Sequence, residues 1–403
     1  MSKNVNLSQD PDYALMVRAI DLEKNDYESD VRYVSRHAYN FLRKTKMYGQ
    51  EIIIDKIGNA GEVFLMPSME RPVTLGMNLF MFRLKEGYEP AYVYSFLISK
   101  YGKALIYQRI TGTAPPSIDK ESVRGILIPL PSKQTNQVVK SIIEDYFNTL
   151  EESKKFYSQA ENLLLEELGL SSFAKATEGE KDLWWVTNLS DVKSANRVDA
   201  DYFKPRYQEV IKKIEKFKSV DLANREYFEI ITGTYSKSYS LQGNNYIRSV
   251  NVQDDLSIDG SNMYKTEENL GKKFKVRPGD IVTSRVGSIG TLGIISEELN
   301  NSFISDNILR IRNSHKEINN LFLAFYLKEI GSILMTRLSR GSVQQRLNQE
   351  TLTEITVPIL SKDSQRKIAE LVRKSHEARK KSKEFLEEAK RKVEEMIEKG
   401  GES

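Results

Sequence analysis

Three stretches of the 403-residue chain carry basic side chains and no acid. Residues 31–50 hold Arg32, Arg36, Arg43, Lys44 and Lys46, interleaved with Tyr33, Tyr39 and Phe41. Residues 90–118 hold Lys100, Lys103 and Arg109, and residues 330–349 hold Arg337, Arg340 and Arg346. In a chain with 56 acids, such local segregation points to phosphate contact. The last two stretches contain polar glycine loops, Thr111-Gly112-Thr113 and Gly341-Ser342-Val343-Gln344-Gln345. Arginine reads guanine and glutamine reads adenine in the major groove, so these loops also hold side chains suited to base edges. The competing reading is a solvated basic face without a ligand.

Other chemistries are poorly represented. There is no cysteine, which excludes thiol nucleophiles, disulfides and cysteine-ligated metals. The three histidines, His37, His315 and His376, lack metal-ligand spacing, so only an all-carboxylate site survives that test. No phosphate loop of the Gly-x4-Gly-Lys-Ser/Thr type occurs. Thr113-Ala114-Pro115-Pro116 shares only its prolines with the Asn-Pro-Pro-Tyr motif that grips a flipped adenine. Pro11-Asp12 with Asp21-Leu22-Glu23-Lys24 has its acid and lysine adjacent, where a nuclease triad needs one residue between them. Gly287-Ser288-Ile289-Gly290 lacks the spacing of a nucleophile elbow. It reads as a tight turn between strands, as does Gly58-Asn59-Ala60-Gly61, and such a turn brings backbone amides close to a phosphate. Lys56 and Arg285 precede these turns at equivalent positions.

That equivalence is general, because the chain repeats itself. An offset of 229 residues places Ile52 on Ile281, Gly58 on Gly287, Gly61 on Gly290, Arg83 on Arg312, Gly112 on Gly341 and Pro129 on Pro358. With one residue of slip, Arg18-Ala19-Ile20-Asp21-Leu22 matches Arg248-Ser249-Val250-Asn251-Val252. Each copy begins β-rich, with apolar runs over 50–57 and 63–66, and over 279–286 and 292–295. A helix is predicted next, over 92–110 and 321–338.

Each copy then ends in a helix of about 35 residues, some 50 Å long at 1.5 Å per residue. Val139, Ile143, Tyr146, Leu150, Tyr157, Ala160 and Leu164 form one apolar seam, interrupted at Ser153. Leu371, Ala378, Phe385, Ala389 and Met396 form the other, interrupted at Ser375 and Ser382. Two charged helices with one seam each are expected to pair antiparallel, which keeps both seams dry. Residues 171–182 have linker composition. The second copy also owns about 45 residues before Tyr246 that the first lacks, including a short amphipathic helix after Tyr207.

The size fits two or three domains. A mean hydropathy of -0.48 with 39% hydrophobic and 29% charged residues describes a globular chain. The net charge of +4 is too small to identify a polyanion partner, so the local stretches carry that argument. No run approaches the ~18 apolar residues of a membrane span, and no signal pattern opens the chain, so no membrane association and a cytoplasmic location are expected.

This arrangement resembles the specificity subunit of type I restriction–modification enzymes. The resemblance rests on Gly279 to Gly290 as a strand–turn motif and on Gly341-Ser342-Val343-Gln344-Gln345-Arg346-Leu347 as a glycine–glutamine loop. It rests also on Ile355 to Leu360 followed by Gln365-Arg366-Lys367-Ile368, and on Asp201-Tyr202-Phe203 with Pro205 and Tyr207. It implies an α+β chain with two similar target-recognition domains, separated by two long helices packed as an antiparallel coiled coil. The implied division is recognition domain 1 over 1–131, central helix 132–170, linker 171–198, recognition domain 2 over 199–360 and C-terminal helix 361–403. It implies a non-catalytic reader of double-stranded DNA, each domain gripping half of a bipartite target. Two methyltransferase and two restriction subunits would dock on it, and those partners would hold S-adenosylmethionine, ATP and Mg, with no cofactor or metal in this chain.

The candidate DNA contacts in copy one are Arg18, Arg43, Lys44, Lys46, Lys56, Arg109, Thr111, Thr113 and Ser117. In copy two they are Arg248, Ser284, Arg285, Ser288, Arg337, Arg340, Ser342, Gln344, Gln345 and Arg346. Copy one has Ala114-Pro115-Pro116 where copy two has Val343-Gln344-Gln345, so the amide contact does not carry over. The alternatives are a stand-alone DNA-binding protein, an enzyme with an unrecognised site, and a coiled-coil assembly scaffold.

Overall fold

A computed structural model describes residues 5–171, 184–260, 263–286, 290–338 and 347–399. The chain divides into two compact units. Unit 1 comprises residues 1–152 and 378–403, and unit 2 comprises residues 153–377.

Unit 1 contains β1 (Ala14–Val17), α1 (Ala19–Lys24), β2 (Arg32–Val34), α2 (Arg36–Phe41), β3 (Lys46–Met47), β4 (Ile52–Asp55) and β5 (Val63–Leu65). These are followed by β6 (Val73–Leu75), β7 (Leu79–Phe82), α3 (Pro90–Ile98), α4 (Lys100–Tyr107), α5 (Lys120–Arg124) and the first part of α6 (Lys133–Glu167). Four strands form a mixed sheet in the order β2-β1-β6-β3, with β1 and β6 parallel. Three form an antiparallel sheet in the order β5-β4-β7. The run Ile52-Ile53-Ile54 is continuous because β4 is buried on both faces. Ile53 joins the apolar cluster of Leu15, Val17 and Leu75, whereas Ile52 and Ile54 join the cluster of Phe96, Leu97 and Ile143.

Unit 2 contains α7 (Leu189–Ala195), α8 (Pro205–Ile214), β8 (Ser219–Asp221), β9 (Phe228–Thr232), β10 (Asn244–Ile247), β11 (Tyr264–Thr266), β12 (Ile281–Ser284) and β13 (Leu292–Ile294). Then come β14 (Phe303–Ile304), β15 (Ile308–Asn313), α9 (Asn320–Tyr326), α10 (Ser332–Leu338), α11 (Gln349–Thr353), β16 (Thr356–Pro358) and the first part of α12 (Lys362–Glu398). The repeat is visible in the pairing register. In unit 1 Met16 faces Thr74 in a parallel pair, and in unit 2 the matching Tyr246 faces Phe303. Ile52 pairs with Phe82 and with Leu65, and Ile281 pairs with Ile311 and with Ile294. Unit 2 adds β9 beyond β15, giving the order β13-β12-β15-β9, and a β8–β16 pair.

The predicted helix over 92–110 is instead two helices. Ser99 takes an extended conformation, and its hydroxyl accepts from the Gly102 amide at 3.3 Å to start α4. Gly102 is required at this corner, since a Cβ there would lie 2.1 Å from the Phe96 carbonyl oxygen. In unit 2 the matching Gly331 ends a π-helical turn, Leu327–Gly331, that links α9 to α10.

The long helices α6 and α12 are antiparallel partners within each unit. In unit 1 Val139 and Ile143 share a cluster with Ala389 and Val393, and in unit 2 Ala160 and Leu164 share one with Ile368 and Val372. The serines that interrupt the seams meet each other. Ser153 Oγ donates to the Ser375 carbonyl at 2.8 Å, and Ser375 Oγ donates to the Ser153 carbonyl at 2.9 Å. Both are buried, so small residues set a close crossing and the hydroxyls satisfy each other.

Candidate nucleic-acid interface

Arg18 and Arg248 occupy equivalent places after β1 and β10, yet their environments differ. Arg18 Nη2 lies 2.6 Å from Asp21 Oδ1, and Nε lies 3.1 Å from Oδ2. Asp21 Oδ2 also accepts from the Arg18 amide at 2.7 Å, a reciprocal cap on α1. Hydrogen bonding to Asp21 raises the guanidinium pKa, and the carboxylate offsets the positive field of the arginine. In unit 2 the corresponding residue is Asn251, whose Oδ1 accepts from the Arg248 amide at 2.9 Å but brings no charge. The Arg248 guanidinium stacks 3.5 Å from the Tyr264 ring centre, and its Nε has no partner among the described residues. One arginine is a structural clamp bound to a carboxylate, and the other has Asn251 in place of that acid.

The turns after β4 and β12 are held by glycine. Gly61 (φ +91°) and Gly290 (φ +90°) leave the chain where a Cβ would strike Ile106 at 2.5 Å and Ser332 at 2.6 Å. Lys56 is exposed beside the first turn, and its carbonyl accepts from the Ile118 amide at 3.0 Å. This places it at the base of the loop 111–117. Thr111 and Ser117 exchange backbone hydrogen bonds of 2.9 and 2.8 Å, which presents Thr111 and Thr113 to solvent. Lys56, Thr111 and Ser117 are thus brought together. Arg109 is turned inward, donating to the carbonyls of Leu105 (2.7 Å) and Gly125 (3.3 Å). The groove between turn and loop, lined by Asn59, Tyr107 and Pro116, also carries Glu23 and Glu62, which disfavours a phosphate at its floor.

In unit 2, Arg285 donates to the Asp306 carbonyl at 2.9 Å, and its Nε is unpartnered among the described residues. Ser284 is buried with its hydroxyl donating to the Val286 carbonyl, so it is not presented to a ligand. Arg337 is also diverted: it donates to the Tyr202 carbonyl at 3.2 Å and stacks over the Tyr202 ring, and burial lowers its pKa. Ser288, Arg340, Ser342, Gln344, Gln345 and Arg346 lie outside the described residues.

The third basic stretch forms a platform that sequence reading found only in part. Arg43 and Lys44 are exposed in a 3₁₀ turn after α2. Lys46 Nζ sits 4.1 Å from the Tyr39 ring centre, Tyr39 lies 5.5 Å from Tyr13, and Arg36 covers Tyr13 at 5.5 Å. Arg83 lies over Tyr48 at 5.1 Å. Unit 2 gathers Tyr239, Tyr246 and Tyr264 with Arg248 on the corresponding sheet. Tyr39 and Tyr246 are buried, whereas Tyr13, Tyr48, Tyr239 and Tyr264 are exposed, and cations flanking exposed rings suit phosphates and base faces together. Tyr13, Tyr48, Tyr239 and Tyr264 were missed because their partners are remote in sequence; only the one-residue-slip alignment of 18–22 with 248–252 pointed to this sheet.

A duplicated fold, basic–aromatic surfaces in both copies and two long helices shared by both units define the class of DNA-reading proteins with two similar domains. Among the described residues no group of three His, Cys, Asp or Glu stands together as a metal site, and no helix is long and apolar enough to cross a membrane. The family model for the type I restriction modification DNA specificity domain matches residues 1–161 and 212–387. The chain is 24% identical over 378 residues to the type I restriction enzyme MjaVIII specificity subunit of Methanocaldococcus jannaschii, covering 86% of this chain and 80% of that one. Among solved structures it resembles the type I restriction–modification S subunit from M. genitalium, with 16% identity, a TM-score of 0.43 and coverage of 87% and 84%. It also resembles the HsdS subunit from Thermoanaerobacter tengcongensis, with 16% identity, a TM-score of 0.32 and coverage of 96% and 90%. The chain belongs to the type I restriction–modification DNA specificity family, and with it to the DNA-recognising, non-catalytic part of such systems.

Proposed function

We propose that this chain reads a bipartite, asymmetric DNA target, one half-site with the domain of each unit, and that the α6–α12 pair sets the gap between half-sites. Its partners are two DNA methyltransferase subunits docked on the two equivalent helix surfaces and two restriction subunits. S-adenosylmethionine, ATP and Mg belong to those partners, and the assembly works on cytoplasmic DNA. The observation that carries this reading is the duplication itself: two units of matching strand order and register are threaded by the same two helices. Duplication supplies two equivalent partner surfaces on one chain, and a helix pair is stiff enough to act as a spacer.

Deleting the gene and sequencing methylated bases across the genome tests it. The expected outcome is the loss of methylation at one class of two-part motif with a fixed internal gap. An unchanged methylome, in a strain whose methyltransferase subunit is still made, sinks the reading. Among the candidates, Arg285→Ala is expected to weaken recognition of the second half-site by about 1–3 kcal/mol if the guanidinium reaches a base.

A further inference from the structure

The same backbone hydrogen bonds build one rim in each copy. In unit 1 the Gly76 amide donates to the Val17 carbonyl at the end of β1 (2.7 Å), and the Asn78 carbonyl accepts from the Lys56 amide after β4 (2.7 Å). In unit 2 the Ser305 amide donates to the Ile247 carbonyl at the end of β10 (2.9 Å), and the Asn307 carbonyl accepts from the Arg285 amide after β12 (2.9 Å). The residues that follow β1 and β10 are thereby fixed beside Lys56 and Arg285. Side chains tighten each rim: the Asn59 amide donates to Glu23 Oε1 at 2.7 Å, and Ser249 Oγ donates to the Asn307 carbonyl at 3.4 Å.

On that rim each copy exposes one β-branched aliphatic. Ile20, on the first turn of α1, is 45% exposed, and Val250, in the 3₁₀ turn Ser249–Asn251, is 69% exposed. Each stands two residues after the arginine that caps its turn. The turns are anchored in the core by Leu22 and Val252, both buried, so packing does not call for an aliphatic at 20 or 250. A lone apolar side chain on a surface needs no explanation. The same class of side chain at the same place in both copies, beside a cation each time, does.

We propose that Ile20 and Val250 are base-reading residues, each making apolar contact with the C5 methyl group of a thymine in its own half-site, while Lys56 and Arg285 hold the adjoining phosphate or guanine edge. The proposal rests on the bipartite DNA reading given above. Among the base edges of the major groove, all the groups are hydrogen-bond donors or acceptors except the thymine methyl. It is therefore the feature that an exposed aliphatic flanked by a cation recognises there. Each half-site then contains a thymine whose contribution to binding is its methyl group.

Duplexes selected from a random pool by the full chain, together with its methyltransferase subunit, serve as the probe. Each thymine is then replaced singly by deoxyuridine, which removes the methyl group and keeps the hydrogen-bonding edge. Fluorescence anisotropy is expected to find one thymine in each half-site whose replacement weakens binding about fourfold, as loss of one buried methyl-sized group gives. Val250→Ala should abolish that sensitivity at one of the two thymines and keep it at the other, and Ile20→Ala should do the converse. Both positions are exposed, and an unchanged urea midpoint confirms that the variants fold. The inference is overturned if either half-site lacks thymine, if no thymine is sensitive to replacement, or if both variants weaken thymine and uracil duplexes alike. Selection of no duplex at all overturns the DNA reading itself, and this inference with it.

Discussion

At the scale of single residues, charge availability is decided by the neighbour three positions on. Arg18 faces Asp21, and Arg248 faces Asn251. A guanidinium already paired with a buried carboxylate has little to gain from a phosphate, whereas one stacked on a ring keeps its field. Arg248→Ala is therefore expected to lower duplex affinity by about 1–3 kcal/mol with little change in folding. Arg18→Ala should leave DNA affinity nearly unchanged and destabilise the fold by about 1.5–3 kcal/mol, because Asp21 is left buried without its charged partner. Fluorescence anisotropy with a target duplex and denaturant unfolding of the same samples check both halves. The reverse pattern, with Arg18→Ala weakening binding and Arg248→Ala unfolding the chain, would refute the distinction.

At the scale of elements, α6 carries a polar contact that its seam pattern does not announce. Tyr157 bonds Lys328 and Glu329 of the π-helical turn, and Glu161 lies near the same charges. Burial, and then the Glu329 charge, hold the Glu161 carboxyl above the ordinary carboxylate range. The folded chain thus binds this proton more tightly than the unfolded chain. Ionised Glu161 opposes folding at neutral pH, and the opposition disappears as pH falls below the ordinary value of 4.5. Glu161→Gln is expected to raise the urea midpoint at pH 7, with the gain shrinking toward pH 4. A gain independent of pH would assign the effect to packing rather than to charge.

At the scale of the whole molecule, the proposed spacer role of the helix pair can be tested by changing its length. Inserting one heptad into α6 and one into α12 at the facing Ser153 and Ser375 positions preserves the seam and adds about 10 Å, or roughly three base pairs of duplex. The variant is expected to prefer targets with a longer gap, measured by selection from duplexes with randomised spacers. An unchanged preferred gap would remove the helices from any role in spacing. Insertions of two or three residues should instead lower stability, because they rotate the apolar stripes out of register.

Much of this was settled by local sequence. The repeat was legible because paired glycines such as Gly61 and Gly290 mark backbone conformations that side chains rarely tolerate, and the strands and long helices because apolar periodicity is a property of neighbouring residues. The pairing of α6 with α12 followed from two seams with no other place to go. What only tertiary structure decided is which cations remain available. Arg337, in an acid-free run, is turned onto Tyr202, and Ser284 onto Val286. Tyr13 and Tyr39 meet although 26 residues apart, and β7 is left open where β15 is covered. Coulomb and hydrogen-bond energies depend on separations of a few ångströms in space, and distance along the chain does not report those separations.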